Sequence, residues 1–258
     1  MDAVVTAGGI PQPNEPLYTY TQGKPKALVD ICGKPMIQWV LDALGGSKKV
    51  ENVVLIGLTE DSGVRCAKPM VFIPNRVGMI ENLLGGIHKV MEINPAARQV
   101  LLVSSDIPAI TSEMVDWEVE TCLQTDVDLC YNVARRETIE ARYPGSKRTY
   151  LKLKDMEVCG GDMNVVHTSV ASMNAATWQK LVESRKNPFK QAAILGFDTL
   201  LMVLLHRITL DKAVQKATQR LHMTGKAIIS PYAELAMDVD KPHQLELMRA
   251  DLANRISH

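Results

Sequence analysis

The sequence predicts a three-layer α/β/α domain built on a mostly parallel, Rossmann-like sheet. Short continuous apolar runs such as Val53-Val54-Leu55-Ile56 and Val100-Leu101-Leu102-Val103 have strand length and no polar alternation, as strands covered on both faces require. Between them lie stretches such as Met79 to Met91, where Ile80, Leu83, Leu84, Ile87, Val90 and Met91 recur at helical spacing. Acidic residues follow the runs, with Asp106 just past the second, where open α/β sheets bind ligands. A chain of 258 residues buries a large core, and no linker interrupts it. A single domain over residues 1–258 is expected, with a mainly helical subregion at about 175–222.

In chain order, Asp2-Ala3-Val4-Val5-Thr6 is the first strand and stops at Ala7-Gly8-Gly9. Glycines there can take positive φ and let backbone N–H groups approach an anion. A proline-bearing loop, Ile10 to Gln22, reads as a lid or a plain surface loop and leads to Lys24 and Lys26, which add positive charge. Leu28-Val29-Asp30-Ile31 is extended, and Met36 to Leu44 is a helix ended by Gly45-Gly46. Val71-Phe72-Ile73 is a short strand stopped by Pro74-Asn75. After Asp106, Thr111 or Ser112 can cap a helix. Val127 to Val133 is a strand, and Arg135 to Arg148 a basic stretch whose Lys147 and Arg148 suit an exposed loop. Tyr150 to Lys154 alternates, and Gly160-Gly161-Asp162-Met163-Asn164 is a second glycine turn before Val165-Val166-His167. Helices are expected at Ala175 to Ser184, Ala192 to His206 and Leu210 to Leu221. Short strands at Ala227-Ile228-Ile229 and Met237-Asp238-Val239 precede a last helix from Pro242 to about Ala253.

Lys+Arg and Asp+Glu are equal at 29 each, so no global field recruits nucleic acid or a membrane surface, and an anion site must be local. Leu200 to Leu205 is the greasiest segment, far too short for a bilayer span, and reads as a buried helix. A homodimer contact through it and the region after Ala175 stays open beside plain core packing. Five scattered Cys without a C-x-x-C pair argue against a disulfide framework and a structural zinc site, and fit a cytoplasmic protein. The first residues lack the basic head and long apolar stretch of a signal peptide.

Three acidic turns stand out: Asp106, Asp162 with Asn164, and Asp238 with Asp240. Each alone reads as a turn carboxylate or helix cap. Together with the glycine turn and lysines they form opposite walls of one crevice, suited to a nucleoside triphosphate and Mg2+, which is held by one or two carboxylates plus phosphates. The chemistry this suggests is phosphoryl-type transfer.

Ala7-Gly8-Gly9, Lys24-Pro25-Lys26-Ala27-Leu28 and Gly33-Lys34-Pro35-Met36-Ile37-Gln38-Trp39-Val40 resemble the opening signature of the MobA-like nucleotidyltransferases. Gly78-Met79-Ile80-Glu81-Asn82-Leu83, Ser105-Asp106-Ile107-Pro108 and Asp238-Val239-Asp240-Lys241-Pro242 match later family segments in order. The resemblance implies a fold of the nucleotide-diphospho-sugar transferase type. It implies that Ala7, Gly8 and Gly9 line the nucleotide, that Lys24 adds charge, and that Lys26 contacts the α-phosphate. Asp106 would bind magnesium, completed by Asp240 and Asp238. Asn82 would contact base or ribose, Gly160 and Gly161 would face the acceptor, and Asn164 would help position metal or acceptor. One position departs: Ile10 to Pro16 holds no basic residue where the family carries an arginine. Lys24, Arg76, Lys147 and Arg148 are the candidates to replace its charge.

The expected function is a magnesium-dependent transfer of an NMP group from an NTP to a small phosphorylated or hydroxyl acceptor, such as a sugar phosphate or cofactor precursor, releasing pyrophosphate. A sugar-nucleotide-dependent glycosyltransferase and a nucleotide-binding protein without catalysis are the alternatives.

Overall fold

The computed structural model describes residues 1–172 and 197–256. The expected helix at Ala175 to Ser184, and the start of the one at Ala192, lie outside the described residues. Strand β1 (Asp2–Thr6) is followed by the short helix α1 (Tyr18–Thr21), the hairpin β2 (Asp30–Ile31) and β3 (Lys34–Pro35), and helix α2 (Met36–Gly46). Then come β4 (Val53–Ile56), β5 (Met70–Ile73), α3 (Met79–Ile93), β6 (Gln99–Ser104) and α4 (Ser112–Leu123). The second half holds β7 (Leu129–Arg135), α5 (Arg136–Arg142), β8 (Leu151–Lys152), β9 (Glu157–Gly160) and β10 (Met163–His167). Helices α6 (Phe197–Leu204) and α7 (Leu210–Arg220), strand β11 (Gly225–Ser230) and helix α8 (Pro242–Ile256) close the chain.

One mixed, mostly parallel sheet runs in the order β5-β4-β1-β6-β10-β7-β9-β8, with β11 on the other edge of β7. Strands β5, β4, β1 and β6 are mutually parallel, β11 is parallel to β7, and β10 runs antiparallel to both β6 and β7. Helices cover both faces, because successive residues of a strand point to opposite sides. Ala3 and Val5 join Ile37 and Val40 of α2 and Val115 and Val119 of α4 in one apolar cluster. Val4 packs on the other side against Ile87 and Val90 of α3.

Register aligns the carboxyl ends of four strands. Thr6 pairs with Ile56 and Ser104, and Ile56 with Ile73, so Gly8, Gly57, Asn75 and Asp106 all leave the sheet along one edge. The chain from Glu157 to His167 follows β7 as two strands interrupted at Gly161-Asp162, a bulge that turns Asp162 toward β6, whose Ser104 N–H donates to the Asp162 carbonyl (2.9 Å).

Three expectations need correction. Leu201, Leu204 and Leu205 are more than half exposed, while Met202 and Val203 of α6 pack against the cluster with Val158 and Ile208. Met237-Asp238-Val239 is not a strand; its Val239 N–H donates to the Asp106 carbonyl (2.9 Å), which pins it across the end of the sheet instead of along an edge. Gly8 and Gly9 do not take positive φ. That conformation falls at Gly57 (φ 93°), whose Cβ, if present, would lie 2.3 Å from Gly8 Cα.

Candidate active site

The end of β1 is built by close approach. Ala7 is buried and its N–H extends the ladder to Ile56 (2.8 Å), Gly57 presses on Gly8, and Gly9 faces open space. The Gly9 carbonyl accepts from Lys26 N–H (2.8 Å), so the loop returns to the sheet end and starts a 3-10 turn, Lys26–Leu28, there. Lys24 is exposed, beyond a turn with left-handed Gln22 and Gly23, and forms none of the contacts around Asp106.

Lys26 Nζ reaches Asp106 Oδ2 (2.5 Å) and Asp240 Oδ1 (2.7 Å). The other Asp106 oxygen accepts from Ser104 Oγ (2.5 Å). Asp238 and Asp240 are brought in by the Val239 bond and by Gln244, whose Oε1 accepts from Asp240 N–H and Lys241 N–H (both 2.9 Å). Gln244 thus does the capping expected of Asp240, leaving that carboxylate to face Lys26. Carboxylate oxygens of Asp106, Asp238 and Asp240 all lie within 4.8 Å of one another.

Arg148 closes the far side. The exposed loop expected there holds for Lys147 only; Arg148 is 12% exposed, its guanidinium paired with Asp238 Oδ1 and 3.4 Å from Cys159 Sγ. Burial, with the Asp238 and Asp106 charges, drives the Asp162 carboxyl well above the usual range. Burial also pushes Asp238 up to about 7 despite Arg148 beside it, with Asp106 and Asp240 adding to the push. Asp240 goes the other way: burial opposes ionisation there, but the Lys26 charge and a hydrogen bond from Asp238 hold it low. Lys26 is held above the usual ammonium range, the Asp106 and Asp240 charges outweighing its burial.

Three carboxylates, Asp106, Asp238 and Asp240, therefore face two cations, Lys26 and Arg148. Such an oxygen-only cluster, short of positive charge, fits a hard divalent ion such as Mg2+. Asn164 is not part of it: its Oδ1 accepts from Asn132 N–H (2.8 Å) and its Nδ2 donates to the Gly161 carbonyl (3.2 Å). Gly160 and Gly161 lie where a Cβ would meet the side chains of Tyr131 (Oη, 2.2 Å) and Asn132 (Oδ1, 2.7 Å), so a larger residue there would have to displace those groups. Asn82 joins Asn75 and the Arg76 backbone beside Gly8. The Arg76 guanidinium lies along α3, near Gly85. Reading along the chain named Arg148 only as a candidate source of charge on an exposed loop, and missed Asn75. Asn75 carried a signal, its place just past a strand's carboxyl end; nothing local marked Arg148 as the partner of Asp238, because only the path of the second half buries it.

The profile of the MobA-like NTP transferase domain matches residues 3–222. A hypothetical transferase from Thermus thermophilus superposes with a TM-score of 0.81 at 30% identity, over 95% of this chain and 98% of that one. The CTP complex of CMP:2-keto-3-deoxy-manno-octonic acid synthetase gives 0.59 at 15% identity, over 99% and 98% of the two chains. The 4-diphosphocytidyl-2C-methyl-D-erythritol synthase of Anaerococcus prevotii gives 0.58 at 10% identity, over 98% and 95%. At those identities the last two speak for fold alone. The bifunctional protein GlmU of Thermoanaerobacter pseudethanolicus is 33% identical over 103 residues, 37% of this chain and only 22% of that protein's length.

Proposed function

Because the chain belongs to the MobA-like NTP transferase family, we propose that it transfers an NMP group from a nucleoside triphosphate to a small phosphorylated or hydroxyl acceptor in a magnesium-dependent reaction. The observation that carries this reading is the meeting of Lys26 with Asp106 and Asp240 beside the open glycine turn. A cation and paired carboxylates next to a backbone that leaves room for phosphates are what triphosphate chemistry requires.

An acceptor oxygen would attack the α-phosphorus in line, forming a P–O bond as the bond to the α–β bridging oxygen breaks and pyrophosphate leaves. Mg2+ bound by Asp106 and Asp240, with Asp238 beside them, would neutralise charge on the triphosphate. Lys26 would turn from the carboxylates to the α-phosphate and stabilise charge as it develops. Ser104 holds one Asp106 oxygen and so fixes the direction of the other. Arg148 holds Asp238 from behind and is thereby spent as a source of charge for the pyrophosphate. Exposed Lys24 and Lys147 are the candidates that keep their ammonium groups available.

Incubation with α-labelled NTPs, Mg2+ and a panel of sugar phosphates and polyols tests the reading. Pyrophosphate release that is abolished by Asp106→Ala is the expected result. Turnover of an NDP-sugar alone, or nucleotide binding with no turnover of any kind across the panel, would contradict it.

A further inference from the structure

Asp162 stands directly across from Ser104. The register that pairs Met163 with Val103 places it there, and the Ser104 N–H donates to the Asp162 carbonyl (2.9 Å). Residues opposite each other on antiparallel strands carry their side chains on the same face. Ser104 Oγ donates to Asp106 (2.5 Å), so the Asp162 carboxyl belongs to the face on which Asp106 meets Lys26.

The Asp162 backbone is fully engaged, its N–H giving to the Leu235 carbonyl (2.9 Å), but its carboxyl accepts no hydrogen bond from any described residue. Neither cation of the cluster serves it: Lys26 is paired with Asp106 and Asp240, and Arg148 with Asp238. Nor is it one of the three carboxylates whose oxygens lie within 4.8 Å of one another. The group is mostly enclosed by protein yet still reached by solvent. A carboxyl so enclosed and without a donor is costly unless a ligand supplies one.

The chemistry of the acceptor decides which ligand that is. A phosphate presented for attack brings more negative charge beside four carboxylates and has no proton it needs to lose. A hydroxyl brings the donor that Asp162 lacks, and must give up its proton to become a nucleophile.

We propose that the acceptor attacks through a hydroxyl group and that Asp162 is the catalytic residue that receives it, so the acceptor is an alcohol at the point of attack and not a phosphate. The hydroxyl oxygen bonds to the α-phosphorus as the bond to pyrophosphate breaks, and the hydroxyl proton passes to an Asp162 oxygen. Surroundings that disfavour the charged carboxylate favour that proton uptake. This rests on the nucleotidyl-transfer reading above and narrows it.

Incubation of the whole chain with the four NTPs, Mg2+ and two sets of acceptors, polyols and hexose phosphates, tests it, with the products read by phosphorus NMR. A new bridge through one phosphorus, a phosphodiester, is expected. A bridge through two, a diphosphate, would overturn the proposal. Asp162→Asn keeps the shape of the side chain and loses the proton acceptor. It should lower kcat about a hundredfold or more while calorimetric affinity for the Mg2+-nucleotide stays within about twofold. An unchanged kcat, or nucleotide affinity lost along with it as for a metal ligand, would also overturn it. Nucleotide binding with no transfer to any acceptor would instead remove the transfer reading itself, and this proposal with it.

Discussion

The Lys26 ammonium lies 2.5 Å from Asp106, in the middle of the carboxylates that suit a divalent ion. It reaches Asp240 as well, 214 residues further along the chain, so a single side chain ties the start of the domain to its last turn. Lysine and metal compete for the same oxygens. Lys26→Met is therefore expected to bind Mn2+, used as a spectroscopic probe, more tightly than wild type in the absence of nucleotide, by about tenfold or more. Equal Mn2+ affinity would show that the ammonium does not compete with the ion.

The two lysines of the loop should differ in turnover. Lys26 is half-buried against the carboxylates, whereas Lys24 is exposed and screened by water. Lys26→Ala should lower kcat by about a hundredfold or more, and Lys24→Ala by about tenfold or less, read from initial rates of pyrophosphate release. Equal small losses would count against the role given to Lys26.

Arg148 and Asp238 form a pair in which each side chain is 12% exposed. Removing one partner leaves the other charge buried. Arg148→Met should cost about 3 kcal/mol in urea denaturation, and the double variant with Asp238→Asn should recover a good part of that. Additive losses would mean that the two side chains are not coupled.

Glu118 of α4 is fully buried, accepts a hydrogen bond from Asn132 Nδ2, and is pushed by burial up to about 8. The folded chain then keeps a proton that the unfolded chain loses near pH 4.5. Glu118 therefore contributes its full stability below about pH 4.5, and loses it as pH rises through about 8. Between those values the slope reaches about 1.4 kcal/mol per pH unit. Thermal melts over pH 5 to 8 should show wild type falling relative to Glu118→Gln, which cannot ionise. Parallel profiles would mean that Glu118 is ionised throughout.

The pattern of apolar runs was enough to read β1, β4, β6 and the helices α2 and α3, because parallel strands buried on both faces leave unbroken Val, Ile and Leu, whereas β9, with no such run, was not read. The carboxyl-end positions of Gly8 and Asp106 follow from the same runs. Other features depend on the chain path rather than on any local pattern. Arg148 looked like a surface residue because its neighbours Ser146, Lys147 and Thr149 are polar, and it is Cys159 of β9 and the turn at Asp238 that enclose it. The exposure of Leu204 and Leu205 escaped for the opposite reason: hydrophobicity marks what can be buried, and in α6 it is Met202 and Val203 that pack against the cluster with Val158 and Ile208. Likewise, Asn164 sits in an acidic turn along the chain, yet its amide is used by the backbone of Asn132 and Gly161.

Thermal denaturation with each of the four NTPs at millimolar concentration, with and without Mg2+, is the most direct test of a nucleotide site at the carboxyl ends of β1 and β6. At least one nucleotide with Mg2+ should raise Tm, as binding to the folded state alone must, and Asp106→Asn with Asp240→Asn should remove the rise. No shift with any nucleotide, or a shift untouched by the double variant, would contradict it.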